Sequence, residues 1–536
     1  MNDAPQIDLA RILATHAERP LLIDAPTGTV WTYADVQAIA TGLSRTWRQA
    51  GLERGARIAT LTQRRAPHAL LAYACMLNGY AFVPLPPDTA PDDLGLLLAR
   101  SRPARLYVDD ELLPRLDEAI AARQDGGDPL PAIERATFAD ADHQAFVQER
   151  ANVSADDPLE FRAPTDRSIA SIHFTSGTTS TPKGVVHCGP ALLDAAHAFN
   201  EALGFTPDTR IYHTLPLSYM AGYLNLLLCP LVCGGSVVLE RLWDARLAFS
   251  FWQHPRQYDV NAMWLVPSML AALLKVDRDR TAGDWCREHL KQLCVGTAPL
   301  PHVVREAWET KYGVDCHESY GLSETLFISS ASARTTKEKG SVGRLLAGVR
   351  LTTDASATTP LGTDDDPIWA SVPWMFLGYL GDDGQPDPAT APSVYPTGDR
   401  GLITAQGNLS IVGRDKDLII RGGRNISPVA LENRLSQMPD AGEVIVVGVP
   451  DDLLGEKIVA VFASGATTEQ GSDTAPPPLT VRPKDDPAWS WIGANLPEYL
   501  QPNALMSTTA FPRTASGKVI RRTVRDQVLA ALGGTP

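Results

Sequence analysis

At 536 residues and a net charge of −14, the chain is too long for one ordinary core and lacks the basic balance of a general nucleic-acid binder. Its 44% hydrophobic and 21% charged residues are those of a soluble globular protein of at least two domains. Any anionic ligand must therefore be held by local groups rather than by the overall field.

The N-terminus, MNDAPQIDLARILATHAERP, has early acids and no apolar h-region, so no signal peptide is predicted. The seven cysteines (Cys75, Cys188, Cys229, Cys233, Cys286, Cys294 and Cys316) are scattered, and none forms a CxxC pair. Without a nearby histidine cluster they predict reduced, mostly buried thiols in a cytoplasmic protein, not a zinc site.

Along the first part, ARIATL (56–61) reads as a strand, PHALLAYACMLNG (67–79) as a helix and AFVPL (81–85) as a strand. The segment 122–167, richer in Asp, Gly, Pro and Glu, is expected to be a loop-rich connection. SIASIHF (168–174), RIYHTLPL (210–217), GSVVL (235–239) and NAMWLVP (261–267) continue the strand-like theme. This alternation predicts an α/β domain with largely parallel sheets. From Ile211 to Leu239 there is no Asp, Glu, Lys or Arg, a length that invites a membrane-span reading. Pro216, Pro230 and Gly234-Gly235 interrupt it, so a strand, turn, buried helix and strand are predicted instead, and no membrane span.

GLITAQGNLSIVG (401–413) predicts a hairpin around Gln406-Gly407. A boundary near 413–416 divides a large domain, 1–413, from a small α+β domain, 414–536. The latter holds EVIVVGV (443–449), KIVAVFA (457–463) and a terminal helix over 518–532. Between them 464–487 is polar and proline-rich and reads as a surface loop or partly disordered insert. No internal repeat is found.

The strongest chemical signal follows the strand at 168–174: Thr175-Ser176-Gly177-Thr178-Thr179-Ser180-Thr181-Pro182-Lys183-Gly184. Small residues let backbone N–H groups approach a phosphate, the hydroxyls add donors, and Lys183 adds a charge. It is not a Walker loop, because Lys183 follows a proline and no Ser or Thr follows it. Taken alone, this run could also be a polar turn.

Four further segments occur in order: Tyr320-Gly321-Leu322-Ser323-Glu324, Pro396-Thr397-Gly398-Asp399, Gly413-Arg414-Asp415-Lys416-Asp417 running on to Pro428, and Arg513-Thr514-Ala515-Ser516-Gly517-Lys518. Together with the Ser/Thr-rich run they resemble the adenylate-forming superfamily of acyl-CoA synthetases, carrier-protein-loading adenylation domains and firefly luciferase. The resemblance spans nearly the whole chain. It implies a large N-terminal domain with a small, mobile C-terminal one, and an ATP-dependent ligase that forms an acyl-adenylate and then passes the acyl group to a second substrate.

By that resemblance, Thr175, Ser176, Gly177, Thr178, Thr179 and Lys183 hold phosphates. Gly296, Thr297, Ala298, Tyr320 and Gly321 border the adenine, Ser323 contacts the α-phosphate, and Glu324 binds Mg²⁺, since a hard cation wants carboxylate oxygen. Asp399 accepts from the ribose hydroxyls and Arg414 holds the ribose or a phosphate. Lys518 serves adenylation, Lys416 is the hinge, and Gly422 and Gly423 line a pantetheine path. The basic residues Arg521, Arg522 and Arg525 read as a solvated helix face.

Ser218 to Asn225, with Tyr219, Met220, Ala221 and Gly222, resembles the acyl pocket of acyl- and aryl-CoA ligases. The aspartate that meets an amino acid's ammonium is absent there, which predicts a lipophilic acid without an amine; Tyr219 stands as an aromatic gate or as a plain core residue. Departures from the family pattern are Ser180 for a glycine, Ala430 for a glutamate, Arg424 for a glutamate, and the proline-rich insert where a family helix is expected. None touches Lys518, Glu324 or Asp399. The expected acceptor is CoA, with an amine (as in amide ligases resembling coronafacate ligase) or a carrier-protein thiol as alternatives. A degenerate adenylate-binding protein is the non-enzyme alternative.

Overall fold

The structure, a computed structural model, describes residues 7–125, 133–138, 167–175, 182–279, 281–333, 335, 338, 340–356, 359–363, 366–422, 424–451, 453–463, 477–514 and 518–532. Among these, strands assemble into four sheets.

Sheet I is built on four parallel strands, Ala81–Leu85, Arg57–Leu61, Arg105–Asp109 and Glu134–Phe138. Ile169–Thr175 joins parallel to the first of them, and Lys183–Cys188 folds back antiparallel on it. Every residue of Ala81–Leu85 is buried, as expected of a strand covered on both faces. Sheet II has a parallel centre of Pro20–Asp24, Ser236–Leu239, Arg210–His213, Ala262–Leu265, Gln292–Val295 and Cys316–Leu322. The antiparallel strand Leu326–Ser330 follows at its end. The mixed α/β architecture with largely parallel sheets is thus as the sequence predicts.

The helix Arg65–Asn78 has almost no polar face: Ala66 and all of His68 to Leu77 are buried. A helix apolar all round must be covered on all sides, and this one belongs to the apolar core shared by sheets I and II. Gly79 ends it in the left-handed region at φ 71°.

Sheet III is a meander of Arg350–Thr352, Pro367–Ser371, Tyr395–Ile403 and Leu409–Arg414. Its last two strands are the hairpin expected at 401–413, with Gly407 at φ 81°. Sheet IV draws only on residues from Ile419 onward, and each of its two faces has a separate apolar core made from the same part of the chain.

Several expectations need correction. Glu134–Phe138 is a strand within the segment read as loop, because its backbone extends the parallel ladder of Arg105–Asp109. Thr480–Val481, at the end of the polar insert, pairs with Ala504–Thr508. The strand at 210 stops at His213, and the terminal helix is Arg521–Ala531. The uncharged stretch holds a π-helix, Ala221–Leu228, continued by the α-helix Cys229–Cys233. No helix among the described residues is long and apolar enough to cross a membrane. None of the seven cysteines is in a disulfide; six are buried and Cys233 is partly so.

Candidate active site

The hairpin joining Cys316–Leu322 to Leu326–Ser330 presents Tyr320, Gly321, Ser323 and Glu324 in one short span. A bulge between Tyr320 and Gly321 breaks the register, and a Cβ on Gly321 would lie 1.9 Å from the Leu326 carbonyl oxygen, so only glycine fits. The turn is pinned from outside. His187 Nε2 donates to the Ser323 carbonyl at 2.7 Å, and the Phe376 N–H donates to the Glu324 carbonyl at 3.0 Å. Burial lowers the His187 pKa to about 4, so it acts as a neutral donor.

Tyr320 reaches sheet III. Its hydroxyl donates to Asp399 Oδ2 at 2.6 Å, while Arg414 Nε meets Asp399 Oδ1 at 2.8 Å. Asp399 is 3% exposed, and its own N–H donates to Thr397 Oγ1 at 3.1 Å. Burial and then the neighbouring Asp399 charge push the Tyr320 hydroxyl upward, so the phenol stays protonated. Each carboxylate oxygen of Asp399 still has a lone pair to offer. Tyr320, Asp399 and Arg414, three of the expected nucleotide residues, therefore form one cluster.

Gly296, Thr297 and Ala298 follow the strand Gln292–Val295. A Cβ on Gly296 would meet Trp264 at 2.8 Å and the Ser319 hydroxyl at 3.1 Å. Thr297 is held at φ 75°, a sparsely populated conformation for a β-branched residue, and its hydroxyl is buried without a hydrogen-bond partner among the described residues. The loop is anchored at Leu300, whose N–H reaches Glu318 Oε2 at 3.4 Å. Glu318 faces Arg305 at 3.1 Å, yet burial outweighs that charge and raises its pKa to about 7. Sequence reasoning missed both Glu318 and Arg305.

Glu324 and Lys183 meet through a third residue that the sequence reading also missed. Tyr379 donates its hydroxyl to Glu324 Oε1 at 2.6 Å, and Lys183 Nζ lies 4.7 Å from the centre of the same ring. The hydroxyl of Tyr395 is 2.8 Å from that of Tyr379. Thr175 lies opposite Lys183 in the strand register. The remaining expected phosphate-loop residues, Ser176, Gly177, Thr178 and Thr179, with Ser180, lie outside the described residues, as does Gly423.

Lys518 comes from the far end of the chain to the Asp399–Arg414 cluster. It is exposed as a residue, but desolvation of its amine and repulsion by Arg414 push its pKa down to about 8, against the pull of Asp399. Lys416 and Asp417 act on the same amine. Lys416 sits in the single turn Asp415–Asp417 between sheets III and IV, its pKa lowered by desolvation and by Arg414. Gly422, at φ 58°, heads the turn after Ile419–Arg421, and its N–H bonds within its own unit to the Leu454 carbonyl. Of the departures, Arg424 stacks on Tyr499 at 4.7 Å, and Ala430 is exposed in the first turn of the helix Pro428–Leu435.

The reading of Arg521 as solvated is wrong. Its guanidinium pairs with Glu432 and donates to the Val446 carbonyl at 2.6 Å, clamping two helices to sheet IV. Arg525 also donates, to the Gly448 carbonyl at 2.8 Å, and Arg522 remains largely exposed.

Met220, Ala221 and Gly222 are buried, and Tyr219 is half-buried, at the entry to the π-helix. A Cβ on Gly222 would lie 2.0 Å from the Pro216 carbonyl oxygen, so the chain doubles back tightly there. The helix Gly189–Leu203 packs against both the π-helix and Leu326–Ser330, linking this segment to the Glu324 hairpin. Behind Gly296 and Gly321, Phe199 stacks on Phe327 at 3.9 Å and lies 5.4 Å from Trp264.

Residues 9–380 match the family described as AMP-binding enzyme, and residues 430–518 match the AMP-binding enzyme C-terminal domain. Similar proteins include a sulfoacetate–CoA ligase of Cupriavidus necator, 27% identical over 461 residues that cover 84% of this chain and 87% of that one. An indoleacetate–CoA ligase of Aromatoleum aromaticum is 27% identical over 506 residues, 93% of each chain. Among solved structures, the anthranilate CoA ligase AuaEII in complex with anthranoyl-AMP has a TM-score of 0.82 at 21% identity, covering 99% of this chain and 100% of that one. ATP-bound MatB from Rhodopseudomonas palustris has a TM-score of 0.79 at 23% identity, covering 97% and 98%.

Proposed function

Since the chain belongs to the AMP-binding enzyme family, we propose that it is an ATP-dependent acid–CoA ligase working in two half-reactions. In the first, the substrate carboxylate attacks the α-phosphorus of ATP, the bond to the bridging oxygen breaks, and pyrophosphate leaves with its electron pair. In the second, the CoA thiolate attacks the acyl carbon of the adenylate and AMP departs. Relatives named as CoA ligases support this acceptor.

The observation that supports the reading is that the charges of Arg414 and Asp399, themselves paired, both act on the Lys518 amine. Two anions must meet in the first step, so preorganised cations lower its barrier most. Asp399, already bonded to Tyr320 and Arg414, is aligned to accept ribose hydroxyls. Lys518 offsets charge on the carboxylate and the bridging oxygen as they react.

Glu324 suits Mg²⁺ by donor chemistry, its carboxylate oriented by the Tyr379 hydroxyl at Oε1. No cluster of three or more His, Cys, Asp or Glu exists among the described residues, which fits a metal held by one carboxylate and the phosphates rather than by a protein cage. When bound, the ion neutralises charge on the departing pyrophosphate.

Ser218 to Asn225, the segment assigned here to the acyl pocket, holds no Asp or Glu to pair an ammonium, so the substrate is an apolar acid without an α-amine. We assign residues 1–413 to the adenylating domain and 414–536 to a domain that turns about Lys416, withdrawing Lys518 and opening the path past Gly422 and Gly423. Screening acids by pyrophosphate release, then mass analysis with CoA or amino acids added, tests this. Acyl-CoA is the expected product. An amide formed while CoA stays unacylated would overturn the acceptor, and activation of free α-amino acids would overturn the pocket assignment.

A further inference from the structure

Glu324 and Lys183 carry opposite charges at one site, and left alone such a pair would close into an ion pair. They do not pair with each other; the ring of Tyr379 stands between them, bonded to the carboxylate by its hydroxyl and to the ammonium by its face. A direct Lys–Glu pair would have to be broken before a phosphate could use the lysine or a metal the carboxylate, at the cost of stripping each charge of its partner.

Tyr379 is held firmly enough to act as such a spacer. It lies on Gly378–Leu380, which pairs antiparallel with Lys183–Cys188 so that Tyr379 faces Val185. The Tyr379 N–H donates to Thr390 Oγ1 at 2.8 Å. A Cβ on Gly184 would sit 2.9 Å from Leu380 Cβ, so the two strands are in close contact beside Lys183. The hydroxyl of Tyr395, 2.8 Å from that of Tyr379, also meets Glu324, so two phenols face the one carboxylate.

We propose that Tyr379 is a positioning residue that orients Glu324 for Mg²⁺ through a hydrogen bond to Oε1 and keeps Lys183 apart from Glu324 for the triphosphate. This rests on the reading of Glu324 as metal ligand and Lys183 as phosphate ligand, and it adds the residue that keeps both available.

The test compares Tyr379→Phe, which keeps the ring, with Tyr379→Leu, which removes it. Mn²⁺ is titrated by electron paramagnetic resonance into the full-length protein with ATP and no acid, and ATP affinity is measured separately without metal. Tyr379→Phe should weaken Mn²⁺ binding about tenfold, as loss of a hydrogen bond to a charged group implies, with metal-free ATP affinity and thermal midpoint unchanged. Tyr379→Leu should weaken both, since Lys183 and Glu324 can then pair. Tyr395→Phe should weaken Mn²⁺ binding in the same direction but by less. Wild-type Mn²⁺ binding in Tyr379→Phe, or equal loss of metal-free ATP binding in the Phe and Leu variants, would overturn the proposal. Should Tyr379→Phe not fold, undiminished Mn²⁺ binding in Tyr395→Phe would do the same. A wild-type protein that binds Mn²⁺ and ATP but releases no pyrophosphate with any acid would sink the ligase reading and leave this comparison standing.

Discussion

Tyr320 donates to Asp399 across 79 residues of sequence, tying the end of sheet II to sheet III through a 2.6 Å hydrogen bond. The second oxygen of the carboxylate is taken by Arg414, so this three-residue cluster is assembled without a ligand.

Asp399→Asn should therefore weaken ATP binding by about 10- to 100-fold, through loss of charge-assisted bonds, while leaving the fold intact. The amide nitrogen would face either Arg414 or the tyrosine as a donor where an acceptor is needed. Calorimetric titration of ATP is the measurement, and unchanged affinity would show that Asp399 serves packing alone.

Lys518→Ala should slow adenylation by about 10²–10³, the usual effect of removing one preorganised group from a charged transition state. Transfer to CoA from chemically prepared acyl-adenylate should stay near the wild-type rate. If both half-reactions slow alike, the assignment of Lys518 to the first step is wrong.

The lowered pKa of the same residue sets a pH limb. Its amine is cationic below about 8 and loses its charge as pH rises through that value, so kcat/KM for ATP in adenylation should fall on the alkaline side. Lys518→Arg, whose guanidinium stays charged, should move the limb to higher pH. A limb that stays where it was in the arginine variant belongs to another group.

Lys416→Pro should show the reverse of Lys518→Ala. Proline restricts φ at the turn Asp415–Asp417, so the adenylate should form while transfer stalls. Accumulation of enzyme-bound adenylate in rapid-quench experiments is the expected outcome. Normal transfer would place the pivot elsewhere.

The residues nominated from the sequence were those whose type the proposed chemistry dictates, such as Glu324, Asp399 and Lys518. Tyr379 and Tyr395 were not, because a tyrosine in a strand-like run reads as an ordinary sheet residue. Its role depends on Gly378 pairing with Val186, a contact between distant parts of the chain. Arg521 was misread for a similar reason. Helical spacing groups it with Arg522 and Arg525, and nothing in that spacing reveals Glu432 on another helix. In the fold, strands bounded by turns were recovered, whereas the π-helix was hidden by a uniformly apolar run with no period to read.

The π-helix also makes this segment unusually tolerant of a change in length. Ala221–Leu228 carries wider turns than an α-helix of the same length. Deleting one residue within it would let the segment relax to α-helical winding, in which seven residues turn through about the same total angle as the original eight. Tyr219 and Met220 before it and the helix Cys229–Cys233 after it would then keep their relative facing. A one-residue deletion is absorbed there, whereas in a regular helix it would turn one flank by about 100° against the other.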